Sequence, residues 1–195
     1  MTGSTSDLRR MAAAGLAAIC LLSGTRAGFA ESSAVAHFSP EEDLEALDVR
    51  SLDALPGGGH VNAALYVLSD YRVIGALARA AERGKTVRLY LDPRELRLLK
   101  LRPDHPLCRL AETANVTVLL KSALQDLMHD KDWSADGAVW RTGSANASVS
   151  GLKAQDNSLL LITDKTVVAA FDRHFESMWS RSDNRKWTCR VDFNF

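Results

Sequence analysis

Apolar and polar positions along this chain switch between two periods, and the switches mark its elements. Residues 61–68 form a largely apolar run of the kind buried on both faces of a sheet. Val73, Ile74, Leu77, Ala78 and Ala81 then recur at helical spacing, and Arg83-Gly84 supplies a C-terminal glycine stop. Residues 87–91 are a further strand, closed by Asp92-Pro93. Strand, helix and strand with short connections predict parallel pairing through a right-handed crossover. Upstream, residues 34–40 read as a short strand ending at a Ser-Pro turn. Glu41 and Glu42 follow in the first turn of a helix that faces Leu44, Leu47 and Leu52 to the core, and Pro56 and three glycines stop it.

Downstream, residues 94–114 are charged and partly helical, interrupted at Pro103 and Pro106. Residues 116–120 and 158–162 are strands, and residues 129–146 read as two strands around an Ala135-Asp136-Gly137 turn. A last helix puts Val168, Phe171, Phe175, Met178 and Trp179 on one face. With no internal repeat, the pattern predicts one α/β domain with a mixed sheet covered by helices.

Composition narrows the class. A chain of 195 residues with 46% hydrophobic and 25% charged positions suits a single soluble globular domain. Residues 1–30 look like a secretory signal: Arg9 and Arg10 precede a short apolar stretch over 11–22, and Gly28-Phe29-Ala30 offers small residues for cleavage after Ala30. The domain then covers 31–195, in the periplasm or outside the cell. No segment approaches the roughly 20 apolar residues of a transmembrane helix. Losing Arg9, Arg10, Arg26 and Asp7 takes the 24 basic and 24 acidic side chains to 21 and 23. A near-neutral mature chain lacks a broad nucleic-acid-coating surface, so a polyanion would need a local groove. Cys108 and Cys189 remain, either paired or as two buried thiols, and without a Cys-x-x-Cys they do not suggest zinc.

The chemistry concentrates in one stretch. His129 is a nucleophile candidate, Lys131 a fixed cation two residues on, and Asp136 a carboxylate; Gly143-Ser144-Ala145-Asn146 adds a turn rich in hydrogen-bond donors. A neutral imidazole is nucleophilic near pH 7, and a lysine at i+2 on a strand shares its face. Donors placed where charge develops are commonly the largest catalytic contribution.

His-x-Lys-(x)4-Asp followed by Gly-Ser-x-Asn resembles the signature of the phospholipase D superfamily. His37-Phe38-Ser39-Pro40, Leu65-Tyr66-Val67-Leu68-Ser69, Glu82-Arg83-Gly84-Lys85-Thr86-Val87 and Gln155-Asp156-Asn157 extend the likeness to its small single-motif branch, which includes exported Nuc-type endonucleases. The resemblance implies a phospholipase D-like domain with a mixed, mostly parallel sheet flanked by helices on both faces. It also implies a phosphodiesterase that works through a covalent phosphohistidine, without metal or other cofactor. His129 would be the nucleophile, and Lys131, Ser144 and Asn146 would hold the phosphate oxygens. Asp136 would fix its turn or take part directly. Many members place a glutamate where Asn157 stands, so Asn157 or the neighbouring Asp156 is the candidate for orienting the imidazole. One motif supplies one histidine, whereas the reaction needs a nucleophile and a general acid. The resemblance therefore implies a homodimer sharing one site.

A nucleic acid is the expected substrate, a phospholipid head group the alternative, and a catalytically silent polyanion binder the third possibility. Arg94, Arg97, Lys100 and Arg102 either border a groove for a backbone or form a solvated helix face. Other enzyme motifs fail: Arg79 stands where a P-loop ahead of Gly84-Lys85-Thr86 needs glycine, and Ser144 is not in a Gly-x-Ser-x-Gly elbow.

Overall fold

The computed structural model describes residues 33–99, 101–122 and 126–189. Residues 1–30 and Lys100, both singled out from the sequence, lie outside them. The described chain runs β1 (Ala34–Ser39), α1 (Leu44–Asp53), β2 (His60–Leu65), α2 (Tyr71–Glu82), β3 (Thr86–Leu91), α3 (Pro93–Leu98), α4 (Pro106–Glu112), β4 (Val116–Leu120), β5 (Lys131–Ala135), β6 (Val139–Gly143), α5 (Val149–Lys153), β7 (Asn157–Ile162), α6 (Lys165–Trp179) and β8 (Arg185–Lys186). Helix starts follow capping chemistry. Asp70 accepts from the Arg72 and Val73 amides ahead of α2, and Asp164 does the same for Thr166 and Val167 ahead of α6. Pro106 opens α4 rather than interrupting a helix, because a first-turn residue has no amide bond to lose.

The strands form one sheet in the order β1-β7-β6-β5-β2-β3-β4-β8. It is mixed, with helices on both faces, as expected, but the expected predominance of parallel pairing is corrected. Only β2–β3 and β3–β4 pair in parallel, and every other neighbouring pair is antiparallel. The crossover rule holds where α2 joins β2 to β3 and where α3 and α4 join β3 to β4, whereas β6 and β7 pair antiparallel although α5 lies between them. Beyond β5 the rule gives way to a hairpin, because the Asp136-Gly137 turn has φ of 54° and 62°, and such a turn folds a strand directly back on its partner. The second strand also stops at Leu65, three residues short of the apolar run.

Alternation within strands divides the core in two. Val61, Ala63, Leu65, Val87, Leu89 and Trp133 pack on one face beneath α1, α2 and α4, with Leu44, Leu52, Ile74 and Leu77. On the other face Ala64, Tyr90, Phe171, Phe175 and Met178 form the layer under α6. A disulfide joins Cys108 of α4 to Cys189, with a Cα–Cα distance of 5.1 Å, so the paired alternative holds. No helix among the described residues is long and apolar enough to cross a membrane.

Candidate active site

Strand register brings the motif to one end of the sheet. Lys131 opens β5 opposite Leu65, the last residue of β2; Gly143 closes β6 opposite Leu159, and Asn157 opens β7 opposite Ser39, the last residue of β1. Loops leaving these strand ends carry the chemical groups, the usual place for ligands on open α/β sheets.

His129 precedes β5 and is exposed. Its ring lies against Tyr66, with centroids 4.6 Å apart and planes tilted by 56°. The Tyr66 backbone amide donates to the Asp130 carbonyl at 2.7 Å, which continues the β2–β5 ladder past both strands. The Lys131 ammonium donates to the His129 carbonyl at 2.8 Å and sits 5.1 Å from the Tyr66 ring centroid. Lys131 is only 8% exposed, and burial lowers its pKa below the ordinary lysine value, partly opposed by Asp130 and Asp132. A hydrogen bond to Glu95 raises the Tyr66 pKa, so the phenol stays protonated and that carboxylate faces the aromatic wall of the site. Burial also raises the pKa of Asp132, which accepts from the Trp140 indole at 2.9 Å.

The Gly-Ser-x-Asn turn closes against β7. A side chain at Gly143, with φ of 134°, would collide with the Ser158 carbonyl, so only glycine fits. The Ser144 hydroxyl donates to Asn157 Oδ1 and accepts from the Ser158 amide, both at 2.9 Å. Asn157 also donates to the Gly151 carbonyl at 2.9 Å. Among the described residues, the side-chain bonds of Asn157 run to Ser144, Gly151 and Gln155 and not to His129, and Asp156 is exposed. Ser144 is likewise engaged in holding the turn. Asn146 differs, because its Oδ1 is buried without a hydrogen-bond partner among the described residues.

Of the two roles expected for Asp136, fixing its turn or taking part directly, the geometry fits the first. Asp136 lies at the opposite end of β5 from His129, and the five extended residues of that strand, roughly 17 Å long, lie between them. Its carboxylate accepts from the buried Lys85 ammonium at 2.6 Å and from the His60 amide at 2.7 Å. Burial alone would raise its pKa, but these hydrogen bonds and the Lys85 charge outweigh that and lower it. Its part is to fix the hairpin.

Sequence reading missed the centre beneath the motif. Arg141, fully buried on β6, pairs with buried Asp48 of α1 at 3.0 Å. Its guanidinium also donates to the carbonyls of Lys131 and Ala145, which links the strand carrying Lys131 to the turn carrying Asn146. The signal was present: Asp48 interrupts the Leu44, Leu52 stripe of an amphipathic helix, where a carboxylate requires a buried cation.

An α/β sheet bearing an exposed histidine, a buried lysine and a Gly-Ser-x-Asn turn at one end defines a phosphodiesterase-type scaffold of the phospholipase D kind. Residues 59–179 match the family model described as "Cardiolipin synthase, PLD-like domain", and the chain belongs to that family. No curated protein sequence matches it. Among solved structures it is similar to Nuc, a phospholipase D family member from Salmonella typhimurium, at TM-score 0.67 and 19% identity over 81% of this chain and 99% of that one. NucT from Helicobacter pylori is similar at TM-score 0.65 and 18% identity, covering 79% and 98%. Phosphatidylserine synthase from Haemophilus influenzae gives TM-score 0.59 and 13% identity, covering 79% of this chain and 40% of that one. At these identities the structural likeness concerns the fold.

Proposed function

We propose that the chain is an exported, metal-independent phosphodiesterase that cleaves nucleic acid through a phosphohistidine, acting as a homodimer. The observation that carries this reading is the exposed His129 imidazole beside a Lys131 ammonium anchored on the His129 carbonyl, with the Asn146 turn tied to the same strand. An imidazole nitrogen of His129 attacks phosphorus, forming the P–N bond as the bond to the leaving oxygen breaks. Lys131 and the Asn146 amide stabilise the charge gathering on the non-bridging oxygens. His129 of a second copy gives its proton to the leaving oxygen, then takes one from the water that cleaves the P–N bond and restores the free imidazole. Residues 1–30 serve as the cleaved export signal.

The likeness to Nuc and NucT supports the nucleic-acid substrate. A second reading, release of a phospholipid head group, has its own support. An open depression of about 620 Å³ beside Ser144 and Asn157 carries Glu41, Glu42 and Asp156, and this acidic rim suits a cationic leaving group better than a second phosphate. The test incubates the protein in EDTA with single- and double-stranded DNA, RNA and phosphatidylcholine vesicles, alongside His129→Ala and with sedimentation of the active form. Nucleic-acid cleavage abolished by His129→Ala is expected. Cleavage that needs magnesium and survives the substitution would sink the phosphohistidine. Choline release with intact nucleic acid favours the second reading, and binding without turnover makes the chain a silent polyanion binder. A fully active monomer contradicts the shared site.

A further inference from the structure

All three guanidinium nitrogens of Arg141 are engaged. Its guanidinium carries five N–H bonds. Nε donates to Asp48 Oδ1 at 3.1 Å and Nη2 pairs with Asp48 Oδ2 at 3.0 Å. Nη1 donates to the Lys131 carbonyl, and Nη1 and Nη2 both reach the Ala145 carbonyl at 3.2 Å. Asp48 Oδ1 accepts further from the Trp133 indole at 3.0 Å. Arg141 is 0% exposed and Asp48 1%.

Stability alone does not account for such a pair. Desolvating two charges costs about what their attraction returns, and apolar side chains of similar volume are commonly as stable or more so. What apolar side chains cannot do is fix two backbone carbonyls from different segments in one plane. Those carbonyls belong to Lys131, whose ammonium is anchored on His129, and to Ala145, the residue before Asn146. We propose that Arg141, held by Asp48, is a positioning residue that sets the spacing between the His129–Lys131 strand and the Asn146 turn, and hence between the nucleophile and the oxygens it must be aligned with. The proposal rests on the phosphodiesterase reading given above. Lysine offers a point charge without the planar fork, so it cannot hold both carbonyls and Asp48 together.

The test measures kcat, KM and thermal midpoint for Arg141→Lys, Asn146→Ala, their double variant and the apolar pair Asp48→Leu/Arg141→Met. All activities are read below each variant's unfolding transition. Arg141→Lys is expected to lower kcat by roughly 10- to 100-fold, the scale of an ångström-level misplacement, with KM within about twofold. Because its effect passes through the turn, adding it to Asn146→Ala should lower kcat by no more than about twofold further. The apolar pair should lose kcat to the same extent, and its thermal midpoint should fall, because the Trp133 indole and the Ala145 carbonyl lose their partners. Wild-type kcat in Arg141→Lys, or multiplicative losses in the double variant, would overturn the assignment, as would a folded, fully active apolar pair. If the apolar pair does not fold, the Arg141→Lys cycle decides alone. Full turnover in His129→Ala would instead remove the phosphohistidine on which the proposal rests.

Discussion

Lys131 carries its charge where burial opposes it. Its pKa lies below that of a free lysine, so raising the pH removes the cation earlier than an exposed side chain would lose it. If that cation stabilises the phosphate oxygens, activity is full below the lowered value and falls as pH rises through it. The alkaline limb of kcat should therefore begin below 10.5, the ordinary lysine pKa. Lys131→Arg keeps the charge throughout this range, so its residual activity should show no such limb. Lys131→Met should cost about 100- to 1,000-fold in kcat, the usual loss for one charge-stabilising donor. A pH–rate profile on the three proteins checks this, and an unchanged limb in Lys131→Arg would assign it to another group. Residue chemistry also explains what the motif left open. His129, Lys131 and Asn146 could be proposed from their types and spacing, because an imidazole, a cation and an amide each have few other uses in such a cluster. The engagement of Ser144 by Asn157 and Ser158 could not, because it depends on how β6 meets β7.

At the scale of elements, the β5–β6 hairpin sets the register of the motif strand from the end remote from His129. Asp136 clamps its turn to the β2 start and to Lys85, whose charge is fully buried. Asp136→Asn should cost about 1–3 kcal/mol of stability, because a buried ammonium loses its partner at a site only partly shielded from water. The turnover of molecules that remain folded should be close to wild type, since the turn is remote from His129. The folded carboxyl has a lowered pKa, so its contribution is present above the ordinary value of 3.8 and disappears as pH falls through the folded value. Denaturant melts at neutral and acid pH check the sign: the gap between wild type and Asp136→Asn should narrow on acidification, and a large kcat loss at neutral pH would return Asp136 to the chemistry. The hairpin was legible because Asp-Gly between strand-like runs has a specific backbone meaning. The helices were legible from their stripes, and β2 to β4 from the crossover rule. The mostly parallel sheet implied by the resemblance overestimated parallel pairing, since strands joined by a tight turn pair antiparallel. The α5 turn and the two-residue β8 are too short to show a period. Asp48 and Arg141, 93 residues apart, meet only once the sheet and α1 have come together.

For the whole molecule, the C-terminal segment closes what the sheet would otherwise leave open. β8 pairs with β4, the Trp187 amide donates to the Val118 carbonyl at 3.0 Å, and Trp187 and Cys189 are 3% and 4% exposed. Without this cover, β4 would present an apolar edge, Val116-Thr117-Val118-Leu119-Leu120, to any other chain. Two backbone pairings hold a short segment weakly, so the Cys108–Cys189 bond is the stronger tether. Closing a loop with a sequence separation of 81 restricts the unfolded chain by about 4.5 kcal/mol in the chain-entropy account. For a domain of this size that corresponds to a fall of roughly 9–18 °C in Tm on reduction. The bond joins α4 to the chain end, away from the β5–β6–β7 strand ends that carry the motif. A Cys108→Ser/Cys189→Ser variant should therefore turn over substrate at the wild-type rate well below its transition, unfold earlier on heating, and scatter light as the β4 edge becomes available. Calorimetry with parallel light scattering, with and without reductant, measures both effects. An unchanged Tm would mean that the Trp187 packing and β-pairing hold the segment unaided, and early loss of activity before unfolding would mean that the C-terminal cover reaches the site through β4.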